Sequence, residues 1–373
     1  MSHVRDLLGV LCCPATRQPL RPMTQGEVAG LNAAIARGRA RFADGAPVVE
    51  ELHEGLSAAD GASFYAVREG VPVLLPDRRI VLVGAGERRE GRPRSVTSDP
   101  WATRWEEVSL LWSHIQPPVR PASQDIALLE RLVDDALERR TDGDSCALLL
   151  GVTPEIATMR WPAGTRLLAL DYSEAMIRNV WPAREAGGAL AVLADWTAMP
   201  VADAACDVVV GDGSFNMPAY PDGLGALARE ARRVLTDDGR LVVRTFARPE
   251  QREPLDAVFA DLRGGRIGNI DVFNWRLAMA VHGDLTAGVR LGSVWEAWAD
   301  NVSDPAALMR SIGWPEDAWL PFLGGIQGFD GRMVFPTISE LTDLLSEGFV
   351  RIACHVPEYE TGERYPTLAF RPR

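Results

Sequence analysis

Between positions 146 and 248 the small and acidic residues of this chain stand at repeated places, each directly after a short apolar run. Gly151, Thr153 and Glu155 follow the first run, Asp171 and Tyr172 the second, Asp195 and Trp196 the third, and Gly211 and Asp212 the fourth. A carboxylate in the place of Asp171 accepts both hydroxyls of a ribose. A carboxylate followed by an aromatic ring, as in Asp195-Trp196, takes an adenine by its exocyclic amine and its face. Asp212 lies between two glycines, so a substrate can approach it closely; as a turn residue it can equally bond to its own backbone. These residue types suit the binding of a nucleoside-containing ligand.

Periodicity shows which strands and helices carry these residues. The runs 146–150, 166–170, 189–193, 206–210 and 240–244 are short, apolar and bounded by Gly, Asp or Pro, as parallel strands buried on both faces are. Between them, Asp171 and Ser173 can cap a helix through 174–178, and the segment 223–235 places Leu224, Leu227, Ala231 and Val234 on one face. The order predicts an α/β protein with a doubly wound, Rossmann-like sheet, in which ligands bind beyond the carboxyl ends of the strands.

The run Ala228-Arg-Glu-Ala-Arg-Arg-Val-Leu-Thr-Asp-Asp-Gly-Arg-Leu-Val-Val243, a helix, an acidic-Gly turn and a fifth strand, resembles the class I S-adenosylmethionine-dependent methyltransferases. The resemblance covers about 124–248 and the tail 335–373. It implies S-adenosyl-L-methionine as cofactor, held by Gly151, Thr153, Glu155, Asp171, Tyr172, Asp195, Trp196, Gly211 and Asp212. The departure is the first loop, where one glycine is followed by Val152, Thr153 and Pro154. Proline supplies no backbone donor, so the Thr153 hydroxyl and the amides after Pro154 are expected to hold the methionine end. Methyl transfer needs in-line placement and a base only for a protonated nucleophile, so no fixed catalytic motif is expected. Asp212, His282 and Asn274 are the candidate groups toward an acceptor, although a single His at a helix end is more often a cap than a base.

At 373 residues and 47% hydrophobic content the chain can fill one sizeable domain and a smaller one. A formal charge of -12 and a pI near 5.0 argue against an extended nucleic-acid surface, which needs clustered Lys and Arg. No run approaches the roughly 20 apolar residues of a membrane span, and the first residues carry no signal-peptide pattern, so a cytoplasmic protein is expected. Five cysteines, three of them in or beside the apolar runs, read as free thiols, with no metal expected.

Residues 1–82 form a separate unit. Leu11-Cys-Cys-Pro14 and Phe64-Tyr-Ala-Val-Arg-Glu-Gly-Val-Pro-Val-Leu-Leu-Pro76 resemble the small zinc-ribbon activator subunit of tRNA, rRNA and translation-factor methyltransferases. Cys13 alone stands in that family's ligand pattern, which implies that the zinc is lost and that apolar packing holds the fold. A short helix is expected within 30–38. The Gly, Arg and Glu-rich stretch 83–99 reads as a linker, and 100–373 as the methyltransferase domain. Trp101, Trp105 and Trp112 stand at helical spacing before the sheet; such a stripe suits a core, with Trp101 and Trp105 also pocket candidates. The insertion 252–335 carries four helical patterns and is expected to form a cap that selects a small-molecule acceptor through residues such as Asn274 and Arg276.

Three other functions fit the same residues: transfer or cyclisation of the cofactor's aminocarboxypropyl group, modification of RNA or a translation protein, and a non-catalytic cofactor-binding scaffold.

Overall fold

The computed structural model describes residues 7, 9–84, 100–138, 145–182 and 189–373. From residue 85 onward the expected linker lies outside the described residues.

Near the N-terminus, β1 (Leu20–Pro22), β2 (Ala40–Phe42), β3 (Glu54–Ala58), β4 (Phe64–Arg68), β5 (Val71–Pro72) and β6 (Ile80–Leu82) form one sheet in the order β1-β3-β4-β6-β2, with β5 paired to β4. The helix expected at 30–38 starts earlier, at Gln25–Ala36. Thr24 and Glu27 make a reciprocal capping box that satisfies amides the first turn leaves open. Leu31 and Ile35 of that helix pack with Met23, Ala40, Val48, Leu52 and Ile80. Cys13 Sγ and the Tyr65 hydroxyl, both closed to solvent, meet at 3.0 Å. Among the described residues no group of three or more His, Cys, Asp or Glu is placed to hold a metal.

The larger sheet is built from β7 (Ser145–Leu150), β8 (Thr165–Asp171), β9 (Ala189–Leu193), β10 (Cys206–Asp212) and β11 (Leu235–Arg244). After a small pair, β12 (Val289–Arg290) and β13 (Arg332–Met333), it is completed by β14 (Phe349–His355) and β15 (Thr367–Pro372). Its order is β14-β15-β11-β10-β7-β8-β9, so the strand sequence reverses between β7 and β10. β8 lies parallel to β7 and β9, while β15 is antiparallel to both β11 and β14. All of β7 is buried, which is why its sequence is apolar without alternation. The edge strand β14 is partly exposed and carries an irregularity between Arg351 and Ala353, which blunts its open edge.

By contacts the chain forms two compact units that interleave along the sequence. One is Met1–Asp99 with Asp134–Val210 and Glu230–Arg240; the other is Pro100–Val133 with Gly211–Arg229 and Leu241–Arg373. In the first, the N-terminal residues cover the edge of β9. Val73 bridges Leu193, the Leu74 amide donates to Leu193 O at 2.8 Å, and Leu11 bridges Val201. Arg17 donates to Met199 O at 2.6 Å and to Glu230 at 2.9 Å.

In the second unit the insertion folds as helices Leu255–Arg263, Ile270–Val281, Leu291–Asn301 and Pro305–Ser311. Phe259, Phe273 and Trp298 meet edge to face in its core. Trp101 stacks on Trp105 at 5.6 Å and meets the edge of Phe329 at 5.2 Å, so this pair packs against aromatic neighbours. Among the described residues no helix is long and apolar enough to cross a membrane.

Candidate functional site

In the first unit, the chain turns at the end of β8 because Ser173 caps helix Glu174–Asn179, accepting from the Met176 amide at 3.2 Å. Asp171 stands just before that cap, and its Oδ1 accepts from the Ser173 amide at 2.8 Å. Burial pushes the Asp171 carboxyl up to about 7, against the amides of Ser173 and Tyr172, which pull it down. Part of the residue's surface remains open, so a ligand can reach it.

Gly151 follows β7 with φ of 102°, a conformation side chains disfavour. A Cβ there would lie 3.8 Å from Trp196 Cζ2 and 3.9 Å from Asp171 Oδ2, so the missing side chain leaves a cradle between ring and carboxylate. The Trp196 indole is fixed by its Nε1, which donates to Leu170 O at 2.7 Å. The fold thus brings Gly151, Asp171 and Trp196 together. Asp195 Oδ1 accepts from the Thr197 amide at 2.8 Å and hydroxyl at 2.7 Å, capping the turn that carries Trp196. Thr153 is buried at the start of helix Pro154–Ala157 and does not cap it with its side chain. Glu155 is half-buried in that helix, and Tyr172 is exposed.

In the second unit Gly211 and Asp212 serve internal contacts. A Cβ at Gly211 would fall 2.3 Å from Ser214 Oγ, so a larger residue there would have to displace that hydroxyl. Asp212 Oδ1 is paired with Arg244 Nη1 at 2.6 Å, and Arg244 Nε lies 3.3 Å from Asp125 Oδ2. Asp125 in turn accepts from the Tyr359 hydroxyl at 3.0 Å and the Ala122 amide at 2.8 Å. Burial lowers the Arg244 pKa, but the charges of Asp212 and Asp125 outweigh it and hold the guanidinium above its ordinary value. The carboxylate expected to face a substrate is therefore engaged in a buried ion-pair network. Sequence reading missed Arg244, Asp125 and Tyr359; a charge closing the apolar run 240–244 was the available signal.

His282 corrects the expectation of a catalytic base. It is fully buried; Nε2 accepts from the Phe335 amide at 3.1 Å, so Nδ1 carries the hydrogen and donates to Gly283 O at 2.8 Å. Both ring nitrogens serve the backbone. Arg276, expected to meet an acceptor, is buried instead against Glu253 and, at 2.7 Å, Asp261. Glu253 is shared with Arg364 at 2.7 Å. Asn274 differs: Nδ2 and Oδ1 are closed to solvent and have no hydrogen-bond partner within the protein.

Residues 149–243 match the family model described as a methyltransferase domain. No curated protein matches the chain. Among solved structures, the CcbJ methyltransferase from Streptomyces caelestis is similar at 14% identity, over 72% of this chain and 96% of that one, with a TM-score of 0.43. A Burkholderia thailandensis 1,6-didemethyltoxoflavin-N1-methyltransferase, solved with its substrate and S-adenosylhomocysteine, is similar at 13% identity, over 84% and 97%, with a TM-score of 0.42. XF2673 from Xylella fastidiosa is 35% identical over 22% of this chain and 92% of its own, with a TM-score of 0.18. Residues 149–243 thus match a methyltransferase domain, and the sheet order described above is that of a Rossmann-like α/β fold.

Proposed function

We propose that the chain passes a methyl group to an O, N or C nucleophile of a small-molecule acceptor, and that Gly151, Asp171, Asp195 and Trp196 hold the cofactor. The observation that carries the cofactor assignment is the cradle at Gly151, open between the Asp171 carboxylate and the Trp196 ring. Its chemistry fits a nucleoside: a carboxylate for ribose hydroxyls beside an indole face for a base. S-adenosylmethionine supplies an electrophilic methyl on a sulfonium. The chain's part is to bind and orient it. Asp171 takes the hydroxyls once ionised, the Leu170 carbonyl holds the Trp196 ring in place, and the rigid turn after Asp195 fixes the ring's height.

Calorimetry with S-adenosylmethionine tests the assignment: Asp171→Ala should weaken binding by about tenfold or more, since it removes charge-assisted bonds worth about 1.5 to 3 kcal/mol each. Unchanged affinity in a folded Asp171→Ala protein would place the cofactor elsewhere. Product analysis should find S-adenosylhomocysteine; methylthioadenosine would instead indicate use of the aminocarboxypropyl group.

For residues 1–82 we propose a structural role in cis. Their bridges to Leu193 and Val201, and the Arg17 bonds to Met199 and Glu230, cover a sheet edge that would otherwise be open to pairing. Removing 1–82 should give a protein that aggregates; a soluble truncated protein with wild-type melting temperature would refute the role.

A further inference from the structure

We infer that Asn274 and Tyr365 form the hydrogen-bonding end of the acceptor site, and that the acceptor is a neutral, planar molecule presenting a hydrogen-bond donor beside a hydrogen-bond acceptor. This rests on the small-molecule methyltransferase reading above.

Asn274 Nδ2 and Oδ1 and the Tyr365 hydroxyl are closed to solvent and have no partner within the protein, and Tyr365 is fully buried. Buried amides and hydroxyls are nearly always bonded, because leaving one dry forfeits its hydration. Asn216, in the same unit, has the ordinary solution. Its Nδ2 donates to Phe246 O and Val334 O, both at 2.8 Å, and its Oδ1 accepts from the Phe246 amide and the Thr245 hydroxyl. Three orphaned atoms in two residues call for hydrogen-bond partners that the protein itself does not supply.

Trp275 and Phe246 connect the helix that carries Asn274 to Tyr365. Trp275, next to Asn274 in helix Ile270–Val281, stacks on Phe246 at 5.1 Å, and Phe246 meets the edge of Tyr365 at 5.8 Å. Asp271, one turn before Asn274, is near enough for its charge to act on Tyr365. Phe246 also closes over Gly213 just past the end of β10, where a Cβ would lie 2.8 Å from its ring. Strand ends are where ligands sit in open α/β sheets.

The ligand class follows from the groups. A carboxamide offers one donor and one acceptor side by side and pairs with the reversed pair on a cis-amide or hydroxy-carbonyl edge. The Tyr365 hydroxyl adds a third bond, and the Phe246 and Trp275 rings favour a flat partner. Charge is not called for. Arg244, over the Tyr365 ring at 5.4 Å, is already matched by Asp212 and Asp125, and Asp271 would repel an anion.

The test uses 2-pyridone, a neutral planar cis-amide, with N-methyl-2-pyridone, which lacks the donor, and benzoate, an anion, as controls. Each is titrated against the full chain by ligand-observed NMR, and S-adenosylmethionine is titrated separately by calorimetry. Wild type should bind 2-pyridone about fivefold or more tightly than either control. Asn274→Leu should lose about tenfold and Tyr365→Phe about threefold, with cofactor affinity held within about twofold. Both variants should melt no lower than wild type, since each removes an orphaned group. The inference is overturned if wild type fails to bind 2-pyridone, if the three probes bind alike, or if Asn274→Leu binds as wild type does. When those failures coincide with normal cofactor binding, the methyltransferase reading stands and this inference alone falls; a wild type that binds no S-adenosylmethionine sinks both.

Discussion

Arg244 and Asp212 meet at 2.6 Å with side chains 0% and 6% exposed, on neighbouring strands at the end where a ligand-facing carboxylate was expected. Removing one partner of a buried pair leaves an uncompensated charge. Asp212→Ala should therefore destabilise the protein by about 3 kcal/mol, and Arg244→Met by a similar amount, because two carboxylates would be left together. Denaturant unfolding of both single variants and the double variant measures this. A double variant as unstable as the sum of the singles would show that the pair is not coupled.

Asp171 should make cofactor binding depend on pH. Burial raises its carboxyl to about 7, and ribose hydroxyls donate more strongly to the ionised form, which accepts with both oxygens. Affinity for S-adenosylmethionine should then fall by up to about tenfold per unit below pH 7 and level off above it, with a proton released on binding near pH 6. In the free protein the raised pKa works the other way. The protonated group favours the fold fully below about pH 4, and that contribution disappears as pH rises through about 7. Calorimetry in two buffers of different ionisation enthalpy reads the proton release; none at pH 6 would contradict the assignment.

His282 should matter for stability and not for chemistry. Burial holds its pKa below the ordinary value, so the folded protein keeps it neutral. Its contribution is full above about pH 6.5 and is lost as pH falls through the lower folded value. His282→Gln should lower the melting temperature near neutral pH while turnover of the folded variant stays within about twofold of wild type. A large loss of turnover without a change in melting would restore it as a base.

Gly213→Ala should destabilise by about 1 to 3 kcal/mol. The glycine has φ of 64°, and an added Cβ would meet Phe246 at 2.8 Å. The Phe246 ring has to move, so the variant should also lose acceptor binding. Wild-type melting in Gly213→Ala would mean that Phe246 has room to shift.

The sheet was legible because burial on both faces writes itself into composition: 146–150 is apolar without alternation, and β7 is buried at every residue. The same logic made Asp171 and Trp196 visible, since a strand's carboxyl end is a fixed place in the fold and polar residues there interrupt an apolar run. Helix starts were less legible. The capping box at Thr24 moves the first helix back to Gln25, and periodicity alone does not carry that signal.

Which polar groups stay free is settled by packing. Asp212, His282, Arg276 and Asn274 look alike in sequence, as lone polar residues near apolar segments. Folding pairs Asp212 with Arg244, sets both nitrogens of His282 against backbone from Phe335 and Gly283, and binds Arg276 to Glu253 and Asp261. Asn274 alone of the four is left without a partner. Those partners lie 15 to 53 residues away for all but the Gly283 contact. Local sequence sets a residue's chemistry and its place on an element, but hydrogen bonding is settled by chain segments that only the packed fold brings within bonding distance.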